Sequence, residues 1–281
     1  MRIPPKYTQA LAVVILGGAT AFTVAVLVYV IVFVLSKGLP GISIEFLFSA
    51  PKDSGLSGGI YPMLVATFLL PLMAIAIALP LGVGTAVYLT EYTRETRLTR
   101  VLRFGTDCLA GIPSIIFGLF GYIFFVEMLK MGWCLLSGSL TLAIMVLPTI
   151  IRTSEEAIRA VPNSYREVSF SLGATRWETV LKVVLPNALP GIVTGVMLGI
   201  GRSIGETAAV IFTAGSILPR SVPLSVFEPV RTLSVHFYTL AREGISNEKA
   251  YATAAVLIIS VLLVNLAAYG MMHRFIAKRS R

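Results

Sequence analysis

Apolar residues in this chain come in long unbroken blocks. Ala10–Leu35 carries no Asp, Glu, Lys or Arg, and neither do Ile60–Thr90, Leu109–Val126, Leu135–Ile151 or Tyr251–Met272. A further block, Ala188–Gly215, holds two internal charges, Arg202 and Glu206. A bilayer core needs about 20 consecutive apolar residues per helix. The pattern therefore predicts an all-α integral membrane protein with six spans, at about 10–35, 60–90, 109–126, 135–151, 188–215 and 251–272. No repeat, low-complexity tract or linker marks a second unit, so residues 1–281 are expected to form one transmembrane domain.

Polar punctuation between the blocks predicts local structure. The 91–107 segment reads as a short basic turn between the second and third spans. The 216–249 segment sets Leu233, Phe237 and Leu240 at helical spacing, which predicts a short amphipathic helix on the outer surface. In 152–186, Pro162-Asn163-Ser164 is a helix-start signal and Ser164-x-x-Glu167 matches a capping box. That helix should stop at Gly173, a residue suited to the left-handed position after a helix. Thr175-x-x-Glu178 is a second capping box, opening another helix that carries Trp177, Leu181 and Val184 toward Pro186. The expectation is two short helices around a glycine, held against one membrane face.

Composition agrees with the blocks. The chain is 56% hydrophobic and 13% charged, with a mean hydropathy of +0.85, whereas soluble domains carry about 25% charged residues. Arg2 and Lys6 precede the first block as in a signal peptide. The block is too long for such a segment and no small-x-small site follows before Lys37, so a retained helix is expected. Cys108 and Cys134 are too few for a disulfide framework and have no His at metal-ligand spacing, so packed thiols and no metal site are expected.

A formal net charge of +9 suggests nucleic acid until the charges are placed. Arg2 and Lys6, four arginines in 91–107, five basic residues in 152–186 and four in the C-terminal tail share one side, 15 of 23 in all. The positive-inside rule puts both termini and 152–186 in the cytoplasm. The charge excess is thus topological, with the bilayer as partner and no nucleic acid.

Arg202 and Glu206 sit within an apolar block, where an isolated charge costs roughly 2.5–3.5 kcal/mol on insertion scales. In a continuous helix they would share a face at i and i+4. Two readings stay open: a buried structural ion pair, or an oxyanion site. Arg offers a planar fork that matches phosphate oxygens. Glu only accepts, so it would favour an anion that carries a proton, such as hydrogen phosphate, over sulfate. Gly191, Gly195, Gly199 and Ser203 form a small-residue stripe that lets a second helix approach closely beside this face.

Gly201-x-Ser203-x-Gly205 also matches the G-x-S-x-G of serine hydrolases. That chemistry needs a strained turn and a nearby His, and the only histidines, His236 and His273, lie outside the apolar blocks. A secondary transporter is a stronger rival, because it could use the same Arg and Glu. The chain has no G-x-x-x-x-G-K-[ST] and cannot itself cradle ATP in that loop.

Glu167-Val168-Ser169, Gly173 and Val183-x-Leu185-Pro186 resemble the EAA–G–I-x-LP signature of ABC-importer permeases, with matching spacing. Gly58-Gly59-Ile60-Tyr61-Pro62, Arg152-Thr153-Ser154-Glu155, Gly201-Arg202-Ser203-Ile204-Gly205-Glu206-Thr207 and Ala250-Tyr251-Ala252-Thr253 extend the resemblance to phosphate permeases of the PstA type. It implies the type I importer permease fold, and the helix before Gly173 would be the coupling helix that docks on a separate ATP-hydrolysing subunit. Arg166, Glu167 and Arg176 would form a polar rim around that contact, with Gly173 allowing close approach. Arg202, Glu206 and Arg152 would line the substrate pathway, Arg152 toward the cytoplasmic exit. Implied partners are a second permease subunit, a dimeric P-loop ATPase that holds ATP and Mg, and an extracytoplasmic phosphate-binding protein. The implied location is a bacterial or archaeal cytoplasmic membrane, and the chain would be a transport subunit with no cofactor of its own. Sulfate, molybdate and tungstate permeases remain as alternatives; they usually place an aromatic residue where this chain has Thr207.

Overall fold

The computed structural model describes residues 5–219 and 221–279. Helices α1 (Pro5–Gly38), α2 (Ile44–Phe48), α3 (Tyr61–Val87) and α4 (Arg97–Ala110) are followed by α5 (Ser114–Gly121) and α6 (Leu135–Arg159). The second half holds α7 (Asn163–Ser171), α8 (Arg176–Thr179), α9 (Leu185–Ile204), α10 (Ala208–Thr213), α11 (Leu233–Arg242) and α12 (Asn247–Arg279). The only strands among the described residues are β1 (Pro51–Lys52) and β2 (Ser57–Gly58), an antiparallel pair with Pro51 opposite Gly58. Five helices are long and apolar enough to cross a membrane, and six spans result when the bent pair α4–α5 counts as one.

The centre of the bundle is α3 packed along α6, with α9 behind them. Leu70, Ala74 and Ala78 of α3 are buried with Leu142, Val146 and Ile150 of α6. The glycine stripe of α9 is what brings that helix in. A Cβ on Gly191 would sit 2.5 Å from the Ala157 Cβ on α6, and one on Gly199 would meet Ile75 of α3 at 3.1 Å. The stripe is therefore filled from within this chain. By contrast, the apolar surface of α1 is exposed along almost its whole length, as a helix facing lipid or another subunit must be.

Several expectations change. The third span is not a straight helix over 109–126: α4 meets α5 at 100°, across Gly111 and Pro113. The 91–107 segment is accordingly not a mere turn, since most of it belongs to α4. The predicted second short helix is instead the start of a continuous 29-residue helix, Arg176–Ile204, which passes Pro186 by widening into a π turn at Val180–Val184. Thr175 and Glu178 form the predicted capping box, but Ser164 and Glu167 do not, because α7 starts two residues earlier than that box requires, behind Pro162. α11 covers the predicted residues, yet most of it is not at the surface: Leu233, Val235, His236 and Leu240 are buried, while Phe237 and Tyr238 turn outward.

Candidate functional site

The fifth apolar block is not one helix. α9 stops at Ile204, residues 205–207 form a break, and α10 resumes at Ala208. Glu206 is built into that break. Its Oε1 accepts from the Ala209 backbone N–H at 3.3 Å, serving a free donor of α10, and its carbonyl accepts from the Ser234 hydroxyl of α11 at 2.8 Å. The expected i, i+4 ion pair with Arg202 is not formed, because the helix ends between the two residues. Arg202 has no hydrogen-bond or ion-pair partner among the described residues and is exposed.

Arg202 opens into a groove of about 440 Å³ between α9 and α12, lined also by Thr194, Leu198, Gly201, Asn265 and Tyr269. Asn265 Oδ1 lies 3.5 Å from the point where a Cβ would stand on Gly201, which sets the amide next to the Arg202 backbone. Asn265 and Tyr269 are one turn apart on α12, so both face the same way. A lone guanidinium resting against acyl chains would cost about 2.5–3.5 kcal/mol on insertion scales.

Arg152 is elsewhere. It is on the last two turns of α6, paired with Asp107 of α4 at 3.0 Å and with Glu156 at 3.3 Å. It lines a separate cavity of about 210 Å³ with Arg103, Glu155 and Arg159. The structure thus does not bring Arg152 together with Arg202, and its guanidinium is already engaged by two carboxylates.

The coupling region is held by residues far apart in sequence. Arg166 is an inward strut, not part of an exposed rim. Its Nη2 meets Glu91 Oε1 at 2.7 Å, while Nη1 and Nη2 donate to the Val161 and Ile158 carbonyls at 2.7 and 3.0 Å. Ser169 is buried, its hydroxyl 2.8 Å from that of Thr179, which pins α7 to α8. Glu167 is exposed, with Tyr165, Val168, Phe170, Leu172 and Trp177 exposed on the same region. Arg176 is also exposed, its guanidinium 5.9 Å from the Tyr92 ring centroid.

Gly173 has φ +82°, and a Cβ there would meet nothing within 4 Å. The constraint is therefore conformational. Gly173→Ala is expected to cost about 1–2 kcal/mol and Gly173→Asn less, read as the fall in apparent Tm of the purified protein.

Outside the spans, Arg231 donates from Nε to the Ser216 carbonyl at 2.7 Å and lies 3.3 Å, through Nη1, from His236 Nδ1. Burial, then Arg231 and Lys249, push the His236 pKa down to about 3. Between pH 6.5 and 3 the unfolded chain binds a proton there and the folded chain does not, so stability falls as pH falls. Acidifying from pH 7 to 5 should cost about 2 kcal/mol through this residue. His236→Gln should flatten the dependence of apparent Tm over that window; an unchanged slope would remove His236 as its source.

With this geometry in place, comparison with known proteins fixes the family. Residues 78–281 match the family described as binding-protein-dependent transport system inner membrane component. The chain belongs to it. The permease is 36% identical to the probable ABC transporter permease protein YqgI of Bacillus subtilis, over 94% of each chain. It is 34% identical to the phosphate transport system permease protein PstA of Pasteurella multocida, over 86% of each. Among solved structures, a bacterial ABC transporter that imports the polysaccharide alginate superposes with TM-score 0.67 at 15% identity, over 96% of both chains. The MetNI methionine ABC transporter, in inward-facing form, gives TM-score 0.60 at 24% identity, covering 77% of this chain and 94% of that one. The permease has the type I importer fold, is a multi-pass inner membrane protein, and is a transport component, not an enzyme.

Sequence reasoning did not single out Asn265, Tyr269, Glu91 or Tyr92. Asn265 had a signal, being the one side-chain amide in the last apolar block. Glu91 had none, because nothing local ties it to a residue 75 positions later.

Proposed function

We propose that this permease carries inorganic phosphate, with Arg202 as the anion contact in a groove completed by a second, different permease subunit. The observation that carries the reading is an arginine within an apolar span that has no partner among the described residues and shares a groove with an amide and a phenol on α12. Several relatives, including that of Pasteurella multocida, are phosphate transport permeases. A guanidinium fork grips two phosphate oxygens, while the Asn265 amide oxygen can accept a hydrogen bond from the hydroxyl that hydrogen phosphate carries and sulfate lacks. This moves the discriminating acceptor from Glu206, which serves α10, to α12.

The remaining parts follow the same reading. The exposed face around Glu167, Gly173 and Arg176 docks on a dimeric P-loop ATPase that holds ATP and Mg, and an extracytoplasmic binding protein delivers the anion. Both termini are then cytoplasmic. Arg152, tied to Asp107 and Glu156, acts on the pathway only if those pairs open. Vesicles that hold the permease with its partner subunit, ATPase and binding protein test this directly. ATP-dependent uptake of labelled phosphate, undiminished by excess sulfate or molybdate, is the expected result; uptake of sulfate or molybdate instead would overturn the substrate assignment.

A further inference from the structure

Helix α4 presents a face that nothing among the described residues covers. One side is anchored: Thr99 is buried, and Arg103 binds Glu155 of α6 at 3.2 Å and Glu95 at 3.1 Å. Away from that anchor, Leu98, Val101, Leu102, Phe104 and Leu109 are all at least 42% exposed. At about 100° per residue, Leu98, Val101, Leu102 and Leu109 fall in one sector, with Arg97 on its flank and Arg100 on the polar face opposite it. Arg94 stands just before the helix. The guanidinium groups of these three arginines have no hydrogen-bond or ion-pair partner among the described residues. The carboxylates of the segment cannot neutralise them: Glu95 is held by Arg103 and Asp107 by Arg152.

Orientation supplies the rest. α5 lies within a bent pair that passes as one span, and α4 leaves it at 100°. If α5 stands upright in the bilayer, α4 lies nearly flat, at the end of the bundle that carries α7, because α4 and α7 are both tied to the ends of α3 and α6. A flat helix with an apolar sector and a basic flank fits the boundary between acyl chains and headgroups.

We propose that α4 is an interfacial helix that binds acidic phospholipids, its apolar sector in the acyl layer and Arg94, Arg97 and Arg100 on headgroup phosphates. Arginine forks suit that ligand, and the uncompensated positive charge favours acidic over zwitterionic lipid. Through Arg103–Glu155 and Arg152–Asp107, bound lipid would also steady the end of α6 that leads to α7.

The test places a photo-crosslinking residue at Leu98 in the intact complex, in vesicles of mixed phosphatidylglycerol and phosphatidylcholine. Lipid capture is expected, enriched in phosphatidylglycerol over its share of the vesicle. Changing Arg94, Arg97 and Arg100 together to Gln should abolish the enrichment, by up to about fivefold per arginine; changing them to Lys should largely keep it. Capture of the second permease or the ATPase at Leu98 overturns the proposal, as does equal capture of both lipids by the wild type. Enrichment that survives in the Gln variant overturns it too.

Discussion

Replacing Arg202 by Lys should cut ATP-driven phosphate uptake by about tenfold to a hundredfold, while the complex still assembles and melts as before. The magnitude follows from losing one charge-assisted hydrogen bond of a bidentate pair, about 1.5–3 kcal/mol. The unchanged stability follows from the structure. Arg202 holds no partner among the described residues and is exposed, so its removal orphans no described group and opens no cavity in the core. Arg202→Ala should therefore also be well folded, which a buried Arg–Glu pair would not allow. Initial uptake rates in vesicles and co-purification of the ATPase make the measurement. A wild-type rate in Arg202→Lys would assign the anion contacts to another helix or to the partner subunit.

That expectation differs from what the sequence alone supports, and the reason is local. Ala188–Gly215 reads as one helix because every residue but two is compatible with a span. What ends α9 is Gly205 together with contacts from outside the block, chiefly the Ser234 hydroxyl on the Glu206 carbonyl. No pattern in the block announces a bond to α11. The same limit hides the strut at Arg166, whose partner lies on the preceding half of the chain. By contrast, the features that rest on near neighbours were legible. The apolar blocks follow from composition over about 20 residues, the Thr175–Glu178 box from a spacing of three, and the stop at Gly173 from a single residue that tolerates φ +82°. Pro113 was available as a break signal within 109–126, but its effect, a 100° turn, depends on Arg103 and Arg152 holding α4 against α6.

Arg166→Ala should be the most destabilising single change in the coupling region. The Arg166 and Glu91 side chains are only 15% and 11% exposed, so deleting the guanidinium leaves a carboxylate buried without its partner. Breaking such a pair costs about 3–5 kcal/mol. The guanidinium also donates to the Ile158 carbonyl, in the last turn of α6, and to the Val161 carbonyl just beyond it. Apparent Tm should fall steeply, and ATPase co-purification should fall with it, because α7 loses its tie to the end of α3. A strut and a docking contact predict the same single-mutant result, so a second variant separates them. Arg166→Met combined with Glu91→Leu removes both charges and fills similar volume, and such replacements are often neutral or stabilising. If the double variant regains stability and ATPase binding, Arg166 acts inside the permease and the docking energy comes from the exposed face around Glu167. If stability returns but the ATPase does not, Arg166 contacts the ATPase itself, and the inward geometry seen here is only one of its two arrangements.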